Sequence, residues 1–100
     1  MKHIAFDKPQ VLSIEELKSL ARTQELGYVE MVLCSPDVYD RFEEVERTSS
    51  KILRISGQPI EIFGFKVIRV NCMSVFDLIV ICKLGMLYLN NFALPSQILL

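Results

Sequence analysis

Tryptophan is absent from this 100-residue chain, and histidine occurs once, at position 3. Most nucleophilic and metal-assisted chemistry leans on an imidazole as base or ligand, so one histidine leaves little to build a catalytic site from. Cysteine is nearly as sparse: Cys34, Cys72 and Cys82 are odd in number and form no CxxC pair. That argues against a disulfide scaffold and against a zinc site, and fits a reducing, cytoplasmic setting. The motifs GxxxxGK[ST], GxGxxG, HExxH and GxSxG are all missing, which removes the usual phosphate-binding, zinc-protease and serine-hydrolase signatures. The expectation is a protein that is not an enzyme and that binds no cofactor or metal.

An excess of either charge is missing too. Eleven Lys and Arg stand against twelve Asp and Glu, for a net charge of −1 and a pI near 5.8. No global field draws such a chain to nucleic acid or to an anionic membrane. Long clean apolar runs are lacking as well. Residues 75–100 come nearest to a membrane span, but Asp77, Lys83, Asn90, Asn91, Pro95, Ser96 and Gln97 interrupt them. No stretch of about 18 apolar residues survives, so no span is expected. The opening "MKHIAFDKPQ" has no apolar core of the roughly 7–15 residues that a signal peptide needs. Repeats and low-complexity linkers are likewise absent, which predicts a single domain across 1–100.

What is present is apolar side chain. The chain is 51% hydrophobic and 23% charged, with a mean hydropathy of +0.34. In a domain of this size that content either packs very efficiently or leaves a patch for a partner. Residues 1–12 read as an irregular or short extended lead, kept from helix by Pro9. Ser13 with Glu16 is a capping-box pattern, and Ile14, Leu17 and Ala21 share one helical face, with Gly27 as the stop. "YVEMVLC" (28–34) is too short for a buried helix and reads as an interior strand. Ser35 then caps a second helix, with Pro36 in its first turn, Asp37 at its positive end, and Val38, Phe42 and Val45 facing inward. The polar run Thr48–Ser50 closes it.

The rest is β-like. "KILRI" (51–55) and "PIEIFGFKVIRV" (59–70) are expected strands, with a bulge or tight bend at Gly64. Residues 77–82 and 86–90 are expected to pair as a hairpin across Gly85, with a helix over the first of them as the competing reading. The predicted class is α+β: two helices packed on one mixed or antiparallel sheet.

Three groups of residues bear on function. A cysteine before a helix start can be held as a thiolate, but Cys34 lacks what a cysteine enzyme needs. Arg41 is seven positions on, Pro36 removes an amide donor, and the one histidine lies in the N-terminal lead. Cys34, and with it Cys72 and Cys82, therefore reads as a buried structural thiol. Glu43, Glu44 and Glu46 read as a solvated helix face. Lys51, Arg54, Lys66 and Arg69 are a candidate basic patch interleaved with Phe63 and Phe65. The set is sparse, lacks an RNA-binding motif, and carries little electrostatic footprint for nucleic acid.

The order of elements also resembles a known pattern. An apolar strand ending in "SPDVYDRF", a helix, then "IFGFKVIRVNCM" and "DLIVICKLGMLYL" is similar to a segment of tailed-phage virion proteins, the major capsid proteins of the HK97-like type. There the run is apolar strand, Asn/Ser-Pro, helix, Gly-aliphatic-Pro-Val, a Met-Pro turn and a strand. The counterpart here is Gly64-Phe65-Lys66-Val67 with Cys72-Met73 at the turn. The likeness covers about residues 29–90. Lys66 stands for the proline, and Ser74 follows the Met. It implies an assembly role in a virion, carries over no functional residue, and spans a piece of such a protein rather than the whole.

The tail completes the reading. Phe92, Leu94, Ile98, Leu99 and Leu100 lie in a stretch that the two narrow helix stripes are not expected to cover. They are therefore the candidate protein interface, seated against another copy or a protein partner, with a tail folded back over its own sheet as the competing reading. The predicted function is a non-enzymatic oligomerising or partner-binding protein. The alternatives are a small regulatory or inhibitory protein that binds a cellular protein through a sheet edge or this tail, and then a nucleic-acid-binding module.

Overall fold

A computed structural model describes residues 1–49 and 60–98, and the elements below lie within them. In chain order they are β1 (Lys2–Val11), α1 (Ile14–Thr23), β2 (Val29–Cys34), α2 (Pro36–Ser49), β3 (Ile60–Ile62), β4 (Phe65–Arg69), β5 (Leu78–Cys82) and β6 (Gly85–Ala93). The expected strand at 51–55 lies outside the described residues. The strands form one mixed six-stranded sheet in the order β1-β6-β5-β2-β4-β3. Pairing is parallel between β1 and β6 and between β2 and β4, and antiparallel elsewhere. The domain is α+β, two helices packed on one sheet, as expected.

The local signals explain the helices. Ser13 Oγ accepts from the Glu16 backbone N–H at 3.1 Å, and the Glu16 carboxylate accepts from the Ser13 N–H at 3.2 Å, so the capping box is complete. Ile14, Leu17 and Ala21 are the buried stripe of α1. The stop falls earlier than Gly27. Gln24 is the C-cap, Glu25 takes a φ of 61°, and the amides of Glu25 and Leu26 return to the carbonyls of Arg22 and Ala21. That bonding closes the helix by the Schellman pattern, with buried Leu26 packing behind it. At α2 the Ser35 hydroxyl accepts from the Val38 N–H at 3.2 Å, which places the cap as expected. Val38, Tyr39 and Phe42 are buried, and Val45 is half-buried.

Both helices lie on the same face of the sheet. Lys18 of α1 sits 6.0 Å from the Phe65 ring, and Phe42 of α2 meets that ring edge-on at 6.3 Å between centroids. Between them they cover Val32, Cys34, Val67, Leu78, Val80, Leu87 and Leu89, all of which are buried. Gly64 makes a hairpin turn between β3 and β4, with φ of 58° at Phe63 and 86° at Gly64. Both central residues have the positive φ of the turn that best matches strand twist, and glycine supplies it without steric cost.

Two expectations change at the chain's ends. Residues 2–11, read as a lead, form an edge strand whose first half runs parallel to β6, from Lys2 opposite Leu87 to Ala5 opposite Asn90. Pro9 is tolerated because only one side of an edge strand donates to a ladder. The tail expectation for Phe92 and Leu94 is also corrected. Asn91 adopts φ 59°, and the register between β1 and β6 slips at this point. One such residue inserted in a strand reverses the alternation of faces. Phe92, which would otherwise point away from the helices, is thereby turned into the core at 0% exposure, and Leu94 follows it. The Asn91 side chain donates to the Phe6 carbonyl at 2.6 Å, bracing the reversal.

Candidate functional site

The tail is therefore not an exposed patch. Phe92 and Leu94 belong to the chain's own core, and Ile98 packs partly buried against it. Pro95 accepts a hydrogen bond from the Arg41 guanidinium, which ties the tail across α2. Leu99 and Leu100 lie outside the described residues. More of the sheet is covered than the stripes suggested because Tyr39 widens the stripe of α2 and Leu26, just beyond α1, is buried as well.

The basic set does not assemble either. Lys66 is exposed on β4 and stands directly opposite Glu61 on β3. Arg69, three residues on, projects from the other side of the strand, and its Nε donates to Asn71 Oδ1 at 3.0 Å. Lys51 and Arg54 lie outside the described residues. Of the cysteines, Cys34 and Cys82 are buried as expected. Burial pushes the Cys34 thiol from its ordinary 9.0 up to about 12. Burial, together with the Glu30 carboxylate, pushes Cys82 upward too. A thiol held this high is protonated and unreactive at neutral pH. Cys72 corrects the expectation: it is exposed, because β4 ends at Arg69 and residue 72 falls in the turn beyond. Among the described residues no three of His, Cys, Asp and Glu converge as metal ligands.

What the geometry does assemble is the second face of the sheet. Two rows of side chains run across the strands there. In the first, His3, Tyr88, Ile79, Leu33 and Ile68 are neighbours from β1 through β6, β5 and β2 to β4. In the second, Met86, Ile81, Met31, Lys66 and Glu61 run from β6 to β3. Tyr88, Ile79, Leu33, Ile68, Ile81 and Met31 are half-buried, and Met86 is 40% exposed. No helix among the described residues lies on this face. Lys66 and Glu61, of opposite charge and directly opposed, close the second row at one end.

A polar cluster borders the other end. The Asp77 carboxylate accepts from Asn90 Nδ2 at 2.8 Å and from the Tyr88 hydroxyl at 3.3 Å. Asn90 Oδ1 contacts His3 Nε2, and the His3 ring meets Tyr88 edge-on at 5.2 Å. The lone histidine is thus seated on the sheet, not loose in a lead. The cluster holds the ring of Tyr88 in place at the margin of the apolar rows.

The sequence signal for this face was available. From Met31 to Cys34 in β2, and throughout "LIVIC" in β5, the residues are apolar at successive positions instead of alternating, the pattern of strands that bury both faces. No protein-family profile, no curated protein and no solved structure matches this chain. Nor is any helix among the described residues long and apolar enough to cross a membrane.

Proposed function

We propose that this chain is a non-enzymatic oligomerising or partner-binding protein whose contact surface is the second face of its sheet. One observation carries the reading: Met31, Leu33, Ile68, Ile79, Ile81, Met86 and Tyr88 are contiguous on four adjacent strands, on the face opposite the two described helices. Soluble proteins seldom leave such a patch uncovered unless it serves a contact. The likeness of residues 29–90 to a tailed-phage capsid segment points the same way, towards a component of an assembly and a virion setting.

The edges support the face over edge-to-edge pairing. β3 is three residues long, and β1 carries Asp7, Lys8 and Pro9 in its outer half. Short strands, charges and proline are the ordinary means of keeping an edge from recruiting a strand. That weakens the alternative in which a regulatory protein docks through a sheet edge.

Methionine footprinting tests the reading. Met31 and Met86 lie on the face, whereas Met73 lies in the turn beyond β4. In cells expressing the full chain, brief peroxide oxidation should spare Met31 and Met86 relative to Met73, and dilution of the purified protein should remove that protection. Equal oxidation of the face methionines in cells and in dilute solution would overturn the proposal.

A further inference from the structure

We infer that the chain carries a nucleotide site beside α1, with Lys18, Arg22 and Lys83 for the phosphate and Tyr28 for the base. It lies on the helix side, apart from the proposed contact face, and does not rest on that reading. The topology gathers its parts. Tyr28 precedes β2, Phe63 and Gly64 turn the chain into β4, and Lys83 follows β5, all at the same end of three adjacent strands. The second half of α1 brings Lys18 and Arg22, about one helical turn apart, to that end.

Lys18, Arg22, Tyr28, Val29, Phe63 and Gly64 line a cavity of about 160 Å3. Pockets that take a whole drug-sized ligand run to about 300–1,000 Å3. This one therefore takes a ligand's charged group and leaves the rest outside. A β-carbon on Gly64 would meet nothing within 4 Å, so the cavity is open beside the turn.

The cations there lack a counter-ion. Lys18 is half-buried, and its ammonium sits 6.0 Å from the centroid of the Phe65 ring. Lys83 lies 5.7 Å from the centroid of the Tyr28 ring. Among the described residues, none of Lys18, Arg22 and Lys83 pairs with a carboxylate. Glu25 and Glu30, which bracket Tyr28 in sequence, are exposed and bind none of the three. Residues 50–59 hold no Asp or Glu, so they supply no missing acid. A cleft lined by one sign of charge concentrates ions of the other. Two cations a helical turn apart with a third nearby suit a doubly charged phosphate, which Arg22 grips through two parallel hydrogen bonds. The net charge of −1 does not oppose this, because exposed charges beyond about 10 Å are screened.

The rings identify the rest of the ligand. Tyr28 keeps 61% of its surface exposed although Lys83 already lies against it. Phe63, another wall of the cavity, is held at φ 58°, a conformation rare for a bulky residue. Phe42 and Phe65 each meet it at 6.2 Å between ring centroids, which fixes that wall. An open aromatic ring beside a small cationic pocket takes a base by stacking and its phosphate by charge.

Titration of the isotope-labelled full chain with adenosine monophosphate, followed by amide chemical shifts, tests the site. The amides of Lys18, Arg22, Tyr28 and Gly64 should move together and saturate, with inorganic phosphate and adenosine each binding about tenfold more weakly. Arg22→Gln should weaken the nucleotide and inorganic phosphate alike, by about tenfold. Tyr28→Ala should weaken the nucleotide and leave phosphate unchanged. Both positions are exposed, so the fold survives either change, and circular dichroism checks it. A single-stranded oligonucleotide that binds about tenfold tighter than the mononucleotide, and loses affinity steeply with salt, makes a strand the natural source. Equal affinity makes it the free nucleotide. Inorganic phosphate or phenyl phosphate binding as tightly as the mononucleotide, with Tyr28→Ala silent, overturns the nucleotide. No saturable shift at these amides up to about 10 mM, weaker than any useful site, overturns the site altogether.

Discussion

Val32 and Leu33 are adjacent in β2 and chemically alike, yet they live in different surroundings. Val32 points at the helices and is 1% exposed, whereas Leu33 points to the other face and keeps part of its surface in water. The same contrast holds between Val80 and Ile79 on β5, and between Leu87 and Tyr88 on β6. The two faces of the sheet thus have similar side chains and only one cover. Part of the chain's high apolar content is scattered over loops and ends, at Val11, Tyr28, Val75, Phe76 and Leu84. The contiguous part, half-buried, lies on the face that no described helix covers.

This contrast can be broken or sharpened by substitution. The largest effect is expected at Phe92, fully buried on the helix side. Phe92→Ala should cost about 3–5 kcal/mol in chemical denaturation, the range for emptying an aromatic from a core. A small loss there, with a change of oligomeric state instead, would restore the tail as the contact surface. Next comes Val32→Thr, which buries a hydroxyl without a partner and should cost about 1–3 kcal/mol. Ser35→Ala removes the cap of α2, and a loss of about 1 kcal/mol is expected. The smallest effect should be at Leu33→Thr. Measured on dilute monomer, it should fall within about 0.5 kcal/mol, as on an ordinary surface. If Val32→Thr and Leu33→Thr proved equally costly, the two faces would not differ as described.

A pH titration separates the faces in another way. Cys34, on the helix side, has its thiol raised from 9.0 to about 12 by burial. Unfolding exposes it to water, where it ionises nearer its ordinary value, so the unfolded chain sheds this proton first as pH rises. The contribution from Cys34 is therefore fully present below about pH 9 and is lost as pH climbs towards 12. Cys34→Ala should flatten that part of the alkaline stability curve. At neutral pH, iodoacetamide should modify Cys72 and spare Cys34 and Cys82 in the folded protein.

Much of the fold was legible in the sequence, because its signals are local. The Ser13 and Ser35 caps, the Ile14–Leu17–Ala21 stripe and the hairpin at 77–90 each depend on residues within a few positions of one another. The misreadings share a different cause. The strand at residues 2–11 exists because β6 offers it a partner, and nothing within those ten residues announces a neighbour eighty-five positions away, as Lys2 and Leu87 are. Phe92 reads as contact surface because the two helix stripes look narrow in sequence, whereas the positive φ of Asn91 turns it to the helix side and into the core. Asparagine tolerates that conformation better than most residues, so "NNF" carried a hint, though not the direction of the turn. The contact face was legible in part. Uninterrupted apolar strands announced cover on both sides, but only the placement of both helices on one face identified the bare side.

The parallel pair between β1 and β6 has a consequence for how the chain reaches this state. A ribosome makes β1 some eighty residues before the strand that seats it. Until then Ile4 and Phe6, which finish packed against the core, have nothing to rest on. Closing a loop of that length costs about 4 kcal/mol of chain entropy, gathered only after the inner strands are in place. The inner strands and both helices should accordingly acquire protection from hydrogen exchange first, with β1 docking as a late, separate step. During that interval the outer side of β6 stands open as a sheet edge, and crowding many copies together then invites one chain's β1 to seat on another's β6.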